Sequence, residues 1–173
     1  MKSVESKIIA TENLTGIREK NKDKKIGLCS GSFDVFHSGH AVFFQQCKEL
    51  VDILVVVVGS DSAIKKQKGP ERPINSQNNR VYLVAGIENV DYAILGDEVE
   101  NMKPGKIDFY DIAKNLKPDI FILNGDDSAT EEKQKMCDKL GIKLVLVERV
   151  VPDFLKGVSS TGIIKQIRAD KTK

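Results

Sequence analysis

The sequence predicts a doubly wound, Rossmann-like α/β fold, in which helices cover both faces of a parallel five-stranded sheet. Five apolar runs rich in β-branched residues are continuous rather than alternating, which is typical of strands buried on both faces. These runs alternate with segments of helical periodicity, an order that favours right-handed crossovers between parallel strands. Ligands of such sheets bind beyond the carboxyl ends of the strands, so functional residues are expected directly after strands.

Each element follows from its own local pattern. The predicted strands cover residues 25–30, 52–60, 91–95, 119–125 and 143–149. The predicted helices cover residues 11–20, 40–50 (with a start near residue 38), 75–90, 106–117, 130–140 and 159–170. Gly141 is expected to end the fifth helix, because glycine is common just past a helix C-terminus. The last helix is expected to begin with a serine or threonine cap before an apolar i, i+3, i+4 pattern.

The chain of 173 residues suits one compact domain with a substantial core. We divide it into an N-terminal extension, residues 1–24, and a main domain, residues 25–173. The extension leads into the charged run EKNKDKK, which we interpret as a solvated connector.

Charge and hydropathy exclude several classes of partner. With 27 Lys and Arg against 25 Asp and Glu, the net charge of +2 gives little reason to expect a nucleic acid partner. The apolar runs are far shorter than the roughly 20 residues that span a membrane. The polar start MKSVESK lacks the apolar core of a signal peptide. A cytoplasmic protein with no membrane partner is expected.

The three cysteines are Cys29, Cys47 and Cys137. They show no CxxC spacing, and an odd number cannot form a closed set of disulfides. We therefore expect small buried or half-buried thiols rather than a zinc site.

Both histidines of the chain lie three residues apart, directly after the first predicted strand. His37 and His40 occupy the first turn of a helix, where free backbone N–H groups and the helix dipole favour phosphate. Gly31 is expected to allow the tight turn after the strand, and Gly39 to leave space for a ligand. Two imidazoles aimed at one anion can stabilise the charge that grows in phosphoryl-type transfer. The competing interpretation is a pair of ordinary surface or core histidines. Neither GxGxxG nor GxxxxGK[ST] occurs here, so a dinucleotide redox site or a P-loop is not supported.

The segment GSFDVFHSGH resembles the G-x-F-D-x-x-H-x-G-H signature of the nucleotidyltransferase superfamily, which includes the cytidylyltransferases. The resemblance implies that a substrate phosphate attacks the α-phosphorus of a nucleoside triphosphate, with Mg²⁺ assistance and release of pyrophosphate. It implies a catalytic role for His37 and His40. The nucleotide-binding residues that it implies in this segment are Gly31, Ser32, Phe33, Asp34 and Gly39. Asp34 could orient the loop, help to hold the metal, or only cap the turn.

A second block, GSDSAIKKQKGPERPINSQNNR, resembles the family segment in which an aspartate precedes lysines and an R-P-[IV]-N-x-x-x-x-R stretch. The lysines lie on a flexible, glycine-terminated stretch that could close over the triphosphate. The three candidates are Lys65, Lys66 and Lys68. We assign Lys68 a catalytic role, Lys65 and Arg80 nucleotide binding, and Asp61 and Arg72 substrate binding. Solvated lysines and a helix-surface arginine are the alternatives.

Two further blocks, ILNGDDS and GVSSTGIIKQI, resemble the third and fourth segments of the family. Their candidate nucleotide-binding residues are Asn124, Gly125, Asp126, Ser159, Ser160 and Thr161. A plain turn and simple helix capping are the alternatives. No residue is predicted to be a metal ligand, because Mg²⁺ is expected to be carried mainly by the triphosphate.

From about Lys7 to Arg168 the chain resembles the heptose-1-phosphate adenylyltransferases, and slightly less closely the glycerol-3-phosphate cytidylyltransferases. The glycerol type has R-Y-V-D and R-T-x-G-I-S-T-T where this chain has ENVD and LKGVSST, so the arginine is missing in both places. Glu88 matches the heptose type better, whereas LKGVSST lacks its EGYSTT pattern. We predict ATP and a sugar 1-phosphate as substrates, and a homodimer, as is common among such enzymes. The alternatives are CTP with a phosphorylated polyol, FAD synthesis from FMN and ATP, and a noncatalytic nucleotide-binding module.

Overall fold

The computed structural model describes residues 3–101, 107–127 and 129–170. The first residue of the predicted helix 106–117, and the terminal residues of the predicted extension and main domain, lie outside these ranges. The strands are β1 Ile26–Gly31, β2 Ile53–Val58, β3 Tyr92–Leu95, β4 Ile120–Asn124 and β5 Lys143–Val147. The α-helices are α1 Leu14–Lys20, α2 Ser38–Glu49, α3 Asp61–Lys68, α4 Gln77–Ala85, α5 Tyr110–Leu116, α6 Thr130–Leu140 and α7 Ser160–Asp170. Short 3₁₀ turns cover Glu5–Lys7, Thr11–Asn13 and Val99–Asn101.

The five strands form one parallel sheet in the order β3-β2-β1-β4-β5. The chain first winds outward from β1 through β2 to β3, then crosses back to β4 and winds outward to β5. The switch point therefore lies between β1 and β4, where loops leaving the strand ends diverge and open a crevice. The predicted doubly wound α/β fold is confirmed.

Strand β2 explains why the apolar runs are continuous rather than alternating. All six of its residues are buried, and they alternate between the two faces of the sheet. Ile53, Val55 and Val57 belong to the core beneath α1, α5 and α6, whereas Leu54 and Val56 belong to the core beneath α2 and α4. A strand covered by helices on both faces needs apolar side chains at every position.

The N-terminal segment packs on the body of the protein. The backbone N–H of Ile9 donates to the carbonyl of Ala93 at 2.9 Å, next to an isolated parallel bridge at the free edge of β3. Leu14 and Ile17 of α1 are buried in the same core as α5. The apolar face of the segment therefore contributes to the main core, and the division at residue 24 stays a prediction.

Three helices differ from the sequence expectation, and one of them, α5, begins at Tyr110 because residues 107–109 are not helical. The lysine stretch predicted to be flexible is helix α3, because Ser60 caps it by accepting the N–H of Ala63 and Ile64 anchors it in the interior. Helix α4 ends at Ala85 rather than near residue 90, with Gly86 as its C-cap. The chain then turns so that Val90 is fully buried before β3 begins. Within the described ranges no helix is long and apolar enough to cross a membrane.

All three cysteines are free and buried. Burial raises the pKa of the Cys29 thiol and raises that of Cys137 to about 11. Both therefore stay protonated and pack as small apolar groups, as the sequence predicts.

Candidate active site

A cavity of about 630 Å³ lies beyond the carboxyl ends of β1 and β4, at the switch point of the sheet. Most of the residues singled out from the sequence line it: Gly31, Ser32, Phe33, His37, Gly39, His40, Lys68, Arg72, Asn124, Asp126, Ser159, Ser160 and Thr161. The fold therefore brings four separate sequence blocks to one place. The predicted site residues outside the cavity are Asp34, Asp61, Lys65, Arg80 and Gly125.

The loop after β1 is shaped by Phe33. Phe33 has a φ of +46°, so it rather than Gly31 makes the left-handed turn that redirects the chain. Gly31 is required for space, because a Cβ at this position would come within 2.8 Å of the Phe33 ring. The buried ring in turn packs edge-on against His40, with 5.3 Å between ring centroids. One aromatic side chain thus fixes both the turn and a histidine.

The two histidines form a stacked pair at the start of α2. Their ring centroids are 3.9 Å apart and the rings are inclined by 21°. The backbone N–H of His37 donates to Nδ1 of His40 at 3.3 Å, which leaves Nε2 of His40 as the protonated nitrogen. Gly39 gives the His37 ring its place, since a Cβ there would come within 3.1 Å of it.

Both imidazoles are neutral at pH 7. Burial lowers the pKa of His40 to about 3, together with repulsion from His37 when that ring is protonated and from the positive charges of Lys68 and Arg149. Burial and Arg149 also lower the pKa of His37. The pair therefore offers neutral hydrogen-bond donors whose orientation is fixed before a substrate arrives.

Asp34 is fully buried and holds the loop that carries Arg72. Its carboxylate accepts the backbone N–H groups of Ile74 and Asn75 at 2.8 and 2.9 Å, and Nε of Arg72 at 2.6 Å. Its own carbonyl accepts the Asn75 side chain at 2.7 Å. Burial raises the pKa of Asp34, but these donors outweigh it, so the net pKa is lowered and the group stays ionised. Of the roles considered for Asp34, the contacts match orientation of the loops.

The lysines of α3 differ in position. Lys68 lines the cavity, and its Nζ donates to Oγ of Ser32 at 2.8 Å. Partial burial of this ammonium group, followed by the charge of Arg72, lowers its pKa. All three lysine side chains are exposed, but Lys65 and Lys66 lie outside the cavity.

The Arg80 guanidinium lies in the protein interior and is fully engaged by protein groups, so it does not face the cavity. Its side chain is fully buried, and it donates to the carbonyls of Asn75 and Ser32 at 2.9 and 2.6 Å and to Asp61 at 2.6 Å. The acidic neighbour of Arg80 is thus Asp61, and neither side chain lines the cavity. Arg80 instead ties the loop after β1 to α3 and α4.

The opposite side of the cavity contains two ion pairs that the sequence reasoning missed. Lys133 on α6 pairs with Asp127 at 2.8 Å, and Arg149, just after β5, pairs with Asp126 at 3.3 Å. Lys133 was missed because a lysine in a helix with many charged residues is expected to face the solvent. Arg149 was missed because it lies ten residues before Ser159, whereas the glycerol-type pattern puts its arginine five residues before the first serine. An arginine is therefore present after β5, although not at the position that the glycerol-type pattern gives it.

Serines fix the start of α7 at the rim of the cavity. Oγ of Ser159 accepts the backbone N–H of Gly162 at 3.1 Å, which is helix capping. Oγ of Ser160 donates to the carbonyl of Val35 at 3.1 Å and ties α7 to the histidine loop. Thr161 also lines the cavity. Asn124, at the end of β4, lines it as well, while Gly125 donates its N–H to Val147 and lies outside.

The carboxylates around the cavity are already engaged by the protein. Asp34 is held by Arg72 and backbone N–H groups, Asp126 by Arg149 and Asp127 by Lys133. Among the described residues no group of three or more His, Cys, Asp or Glu could hold a metal ion. This donor set fits a Mg²⁺ ion that is bound by substrate phosphates rather than by a protein cage.

A family model described as cytidylyltransferase-like matches residues 28–166, which include every candidate site residue discussed above. The chain belongs to the cytidylyltransferase-like family. The resemblance to nucleotidyltransferase enzymes is thereby confirmed. The match begins in β1 and ends in α7, so it covers all of the sheet except the start of β1, and all of the residues that line the cavity.

Relatives of this cytidylyltransferase-like chain include bifunctional proteins named HldE. The protein from a Nitratiruptor species is 36% identical over 148 residues, which are 86% of this chain and 29% of the relative. The protein from Helicobacter hepaticus is 34% identical over 168 residues, 97% of this chain and 32% of the relative. This chain therefore spans about a third of the length of these relatives.

Two solved structures share the fold. A lipopolysaccharide core biosynthesis protein from Thermoplasma volcanium is 34% identical, with a TM-score of 0.59 over 75% of this chain and 99% of the other. A pantoate-beta-alanine ligase from Francisella tularensis has a TM-score of 0.63 over 95% of this chain and 77% of the other, at 14% identity. The second similarity concerns the fold alone.

Proposed function

We propose that the protein transfers AMP from ATP to the phosphate of a heptose-type sugar 1-phosphate and releases pyrophosphate. The observation that carries this proposal is the meeting of His37, His40, Lys68 and the start of α7 around one cavity. A sugar-type acceptor is supported by the heptose-type pattern of the chain and by its similarity to a protein of lipopolysaccharide core biosynthesis.

The reaction needs charge stabilisation rather than a covalent intermediate. A phosphate oxygen of the acceptor attacks the α-phosphorus, the bond to the oxygen that bridges the α- and β-phosphates breaks, and pyrophosphate leaves. Negative charge grows on the α-phosphate and leaving oxygens, and the neutral N–H groups of His37 and His40 are suited to donate to them. Backbone N–H groups at the start of α7 and the ammonium of Lys68 suit the β- and γ-phosphates. Mg²⁺ bound to the triphosphate would neutralise part of its charge.

The lysines of α3 give a first prediction for this proposal. We expect Lys68→Ala to raise the KM for the nucleotide by about tenfold or more, because a charged hydrogen-bond donor typically contributes about 1.5–3 kcal/mol. Lys65→Ala should change it by less than about twofold, since an exposed lysine outside the cavity contributes little. Steady-state kinetics with both variants measure this difference, and equal effects would contradict the assignment of Lys68.

Cytidylyl transfer to a phosphorylated polyol is a second candidate because of Arg149. The glycerol-type pattern has an arginine before the serines, and this chain has one in the cavity, displaced by a longer loop. Glu88, which replaces the other arginine of that pattern, still favours the adenylyl reaction.

A substrate panel distinguishes these candidates. Pyrophosphate release would be measured for ATP, CTP, GTP and UTP with heptose 1-phosphate, other sugar 1-phosphates, glycerol 3-phosphate and FMN. We expect the highest kcat/KM for ATP with a sugar 1-phosphate. A clear preference for CTP with glycerol 3-phosphate would refute this substrate choice, and release with FMN would favour FAD synthesis. If no pair of nucleotide and acceptor releases pyrophosphate, a noncatalytic nucleotide-binding module would be favoured.

Other parts of the proposal concern assembly and setting. We propose a homodimer, as the family resemblance implies, acting in the cytoplasm without a nucleic acid or membrane partner. Light scattering of the purified chain tests the dimer, and a mass of about 19 kDa would contradict it.

A further inference from the structure

We infer that Arg72 binds the phosphate of the acceptor, and that Asp34 positions Arg72 for this contact. The inference rests on the proposed function and deepens it, because it names a phosphomonoester dianion as the group that this side of the cavity recognises. Nε of Arg72 donates to the fully buried carboxylate of Asp34 at 2.6 Å. The guanidinium plane is therefore fixed at one edge before any ligand binds.

The remaining edge of the guanidinium has unused donor capacity. Arg72 lines the cavity with a side chain only 13% exposed, and its Nη2 is buried without a hydrogen-bond partner. A buried donor without a partner destabilises the folded protein, because it has lost its hydrogen bonds to water. Such a donor is expected where a bound ligand supplies the missing hydrogen-bond acceptor. The planar guanidinium of arginine suits a phosphate group, because it can donate two parallel hydrogen bonds.

The loop that carries Arg72 is held too firmly for this orientation to be accidental. The Asp34 carboxylate accepts hydrogen bonds from the backbone N–H groups of Ile74 and Asn75 and from Nε of Arg72. The backbone carbonyl of Asp34 accepts a further hydrogen bond from the side-chain amide of Asn75. Arg80 adds a bond to the Asn75 carbonyl from the interior. The position of Arg72 is thus set by residues that do not reach the cavity themselves.

Charge is distributed unequally around the cavity, and the distribution indicates which side binds phosphate groups. On the β4 and β5 side, Lys133 and Arg149 are each paired with an aspartate, so the two pairs are neutral. On the β1 and β2 side, Arg72 is paired with Asp34, whereas Lys68 donates to the uncharged hydroxyl of Ser32, so these three charged groups carry one net positive charge.

The neutral side suits the uncharged nucleoside, and the positive side suits phosphate groups, of which the β- and γ-phosphates are already assigned to Lys68. The exposed Lys156 lies on the loop before α7, on the side proposed for the β- and γ-phosphates. The histidine pair lies between these regions, where an attacking acceptor oxygen and the α-phosphate would meet. Arg72 is thereby left for the acceptor.

The test separates acceptor binding from nucleotide binding. The probes are the Mg²⁺ complex of α,β-methylene-ATP, which cannot transfer its nucleotide, and inorganic phosphate titrated into the protein saturated with that analogue. Arg72→Lys keeps the charge and removes the fork. Arg18→Lys is the matched control, because Arg18 pairs with Asp119 at 2.9 Å, Asp119 also accepts a backbone N–H, and neither lines the cavity.

We expect Arg72→Lys to weaken phosphate binding by about tenfold and the nucleotide analogue by less than about twofold, with no effect of Arg18→Lys on either. Calorimetry gives both affinities, and thermal unfolding shows whether each variant is folded. The inference is overturned if Arg72→Lys weakens the analogue as much as phosphate, if it leaves phosphate binding unchanged, or if the wild-type complex binds no phosphate.

Failure of the proposed function has a different signature. In that case the wild-type protein would bind no nucleotide analogue and release no pyrophosphate with any acceptor. Phosphate titrated into the free protein would still test Arg72, because the pairing with Asp34 exists without a nucleotide. An unchanged phosphate affinity in free Arg72→Lys would then refute the inference as well.

Discussion

The two halves of the cavity are built in different ways. The histidine half, formed by residues 31–40 with Lys68 and Arg72, is pinned by buried contacts: a stacked imidazole pair, the Phe33 ring and the Asp34 carboxylate. The carboxylate half, formed by residues 124–127 with Lys133 and Arg149, has side chains that neutralise one another, and the Asp126–Arg149 pair is more than half exposed.

The difference indicates which half of the cavity carries out the chemistry and which half selects the substrate. Groups that stabilise a transition state must be oriented before the substrate arrives, since reorganisation during the reaction would cost part of the stabilisation. Groups that contact a nucleoside can tolerate looser, hydrated contacts. We therefore assign phosphoryl chemistry to the histidine half and nucleoside contacts to the carboxylate half.

The largest expected effect comes from removing one imidazole. We predict that His37→Ala or His40→Ala lowers kcat by about 10²-fold or more, because one lost donor to a developing charge typically costs roughly 3 kcal/mol. Steady-state kinetics on the best substrate pair measure this, with circular dichroism to verify the fold. An unchanged kcat in either variant would remove the basis for the difference between the halves.

A second variant tests the framework behind the histidine half. We predict that Arg80→Met lowers the free energy of unfolding by about 2–3 kcal/mol, because two buried carbonyls lose their donor. Urea denaturation measures the loss. A fully stable Arg80→Met protein with impaired nucleotide binding would instead return Arg80 to the nucleotide site that the sequence suggested.

Low pH should destabilise the histidine half in a specific window. The pKa of His40 is about 3 in the folded protein, below its ordinary value of 6.5, so the unfolded chain takes up a proton first as the pH falls. Stability is therefore complete above about pH 6.5 and decreases toward pH 3, by about 1–2 kcal/mol between pH 7 and pH 5. Denaturation of wild type and His40→Gln at several pH values isolates this contribution, and identical pH dependence in both proteins would contradict the lowered pKa.

The smallest effect is expected in the carboxylate half. Asp126 and Arg149 have side chains 57% and 54% exposed, so we predict that Asp126→Asn changes the free energy of unfolding by less than about 1 kcal/mol. Thermal unfolding at low and high salt measures it. A loss as large as that of Arg80→Met would mean that both halves are equally constrained.

The sequence predicted well what depends on periodicity and on a compact motif. The five strands were recognisable from their continuous apolar runs, which suit β2, buried at all six positions, although the edge strand β5 has no fully buried residue. The histidine pair was recognisable because its residues are only three positions apart in the chain. Helix α6 was predicted at its observed bounds, since Gly141 takes a left-handed conformation there with a φ of +67°.

The sequence predicted poorly what depends on long-range pairing of charges. Helix α3 buries only Ile64 among its eight residues, so its pattern does not distinguish a helix from a flexible loop. Arg80 and Asp34 are charged residues with no exposure, and only the folded structure brings their partners near. Arg149 reaches the cavity because the loop between β5 and α7 is longer than the glycerol-type pattern allows, so its position in the sequence did not mark it as a site residue.

The most direct test of the central claim uses the fact that the chain has only two histidines. Nuclear magnetic resonance of the ¹⁵N-labelled imidazoles would be recorded from about pH 7 to pH 5, with and without Mg²⁺ and α,β-methylene-ATP. We expect His40 to stay neutral in the free protein, with its proton on Nε2, because its pKa is about 3. We also expect the Nε2 signals of both rings to shift when the analogue binds. A His40 that titrates near its ordinary pKa of about 6.5, or two imidazoles whose signals do not change at saturating analogue, would contradict the assignment of this pair to the α-phosphate.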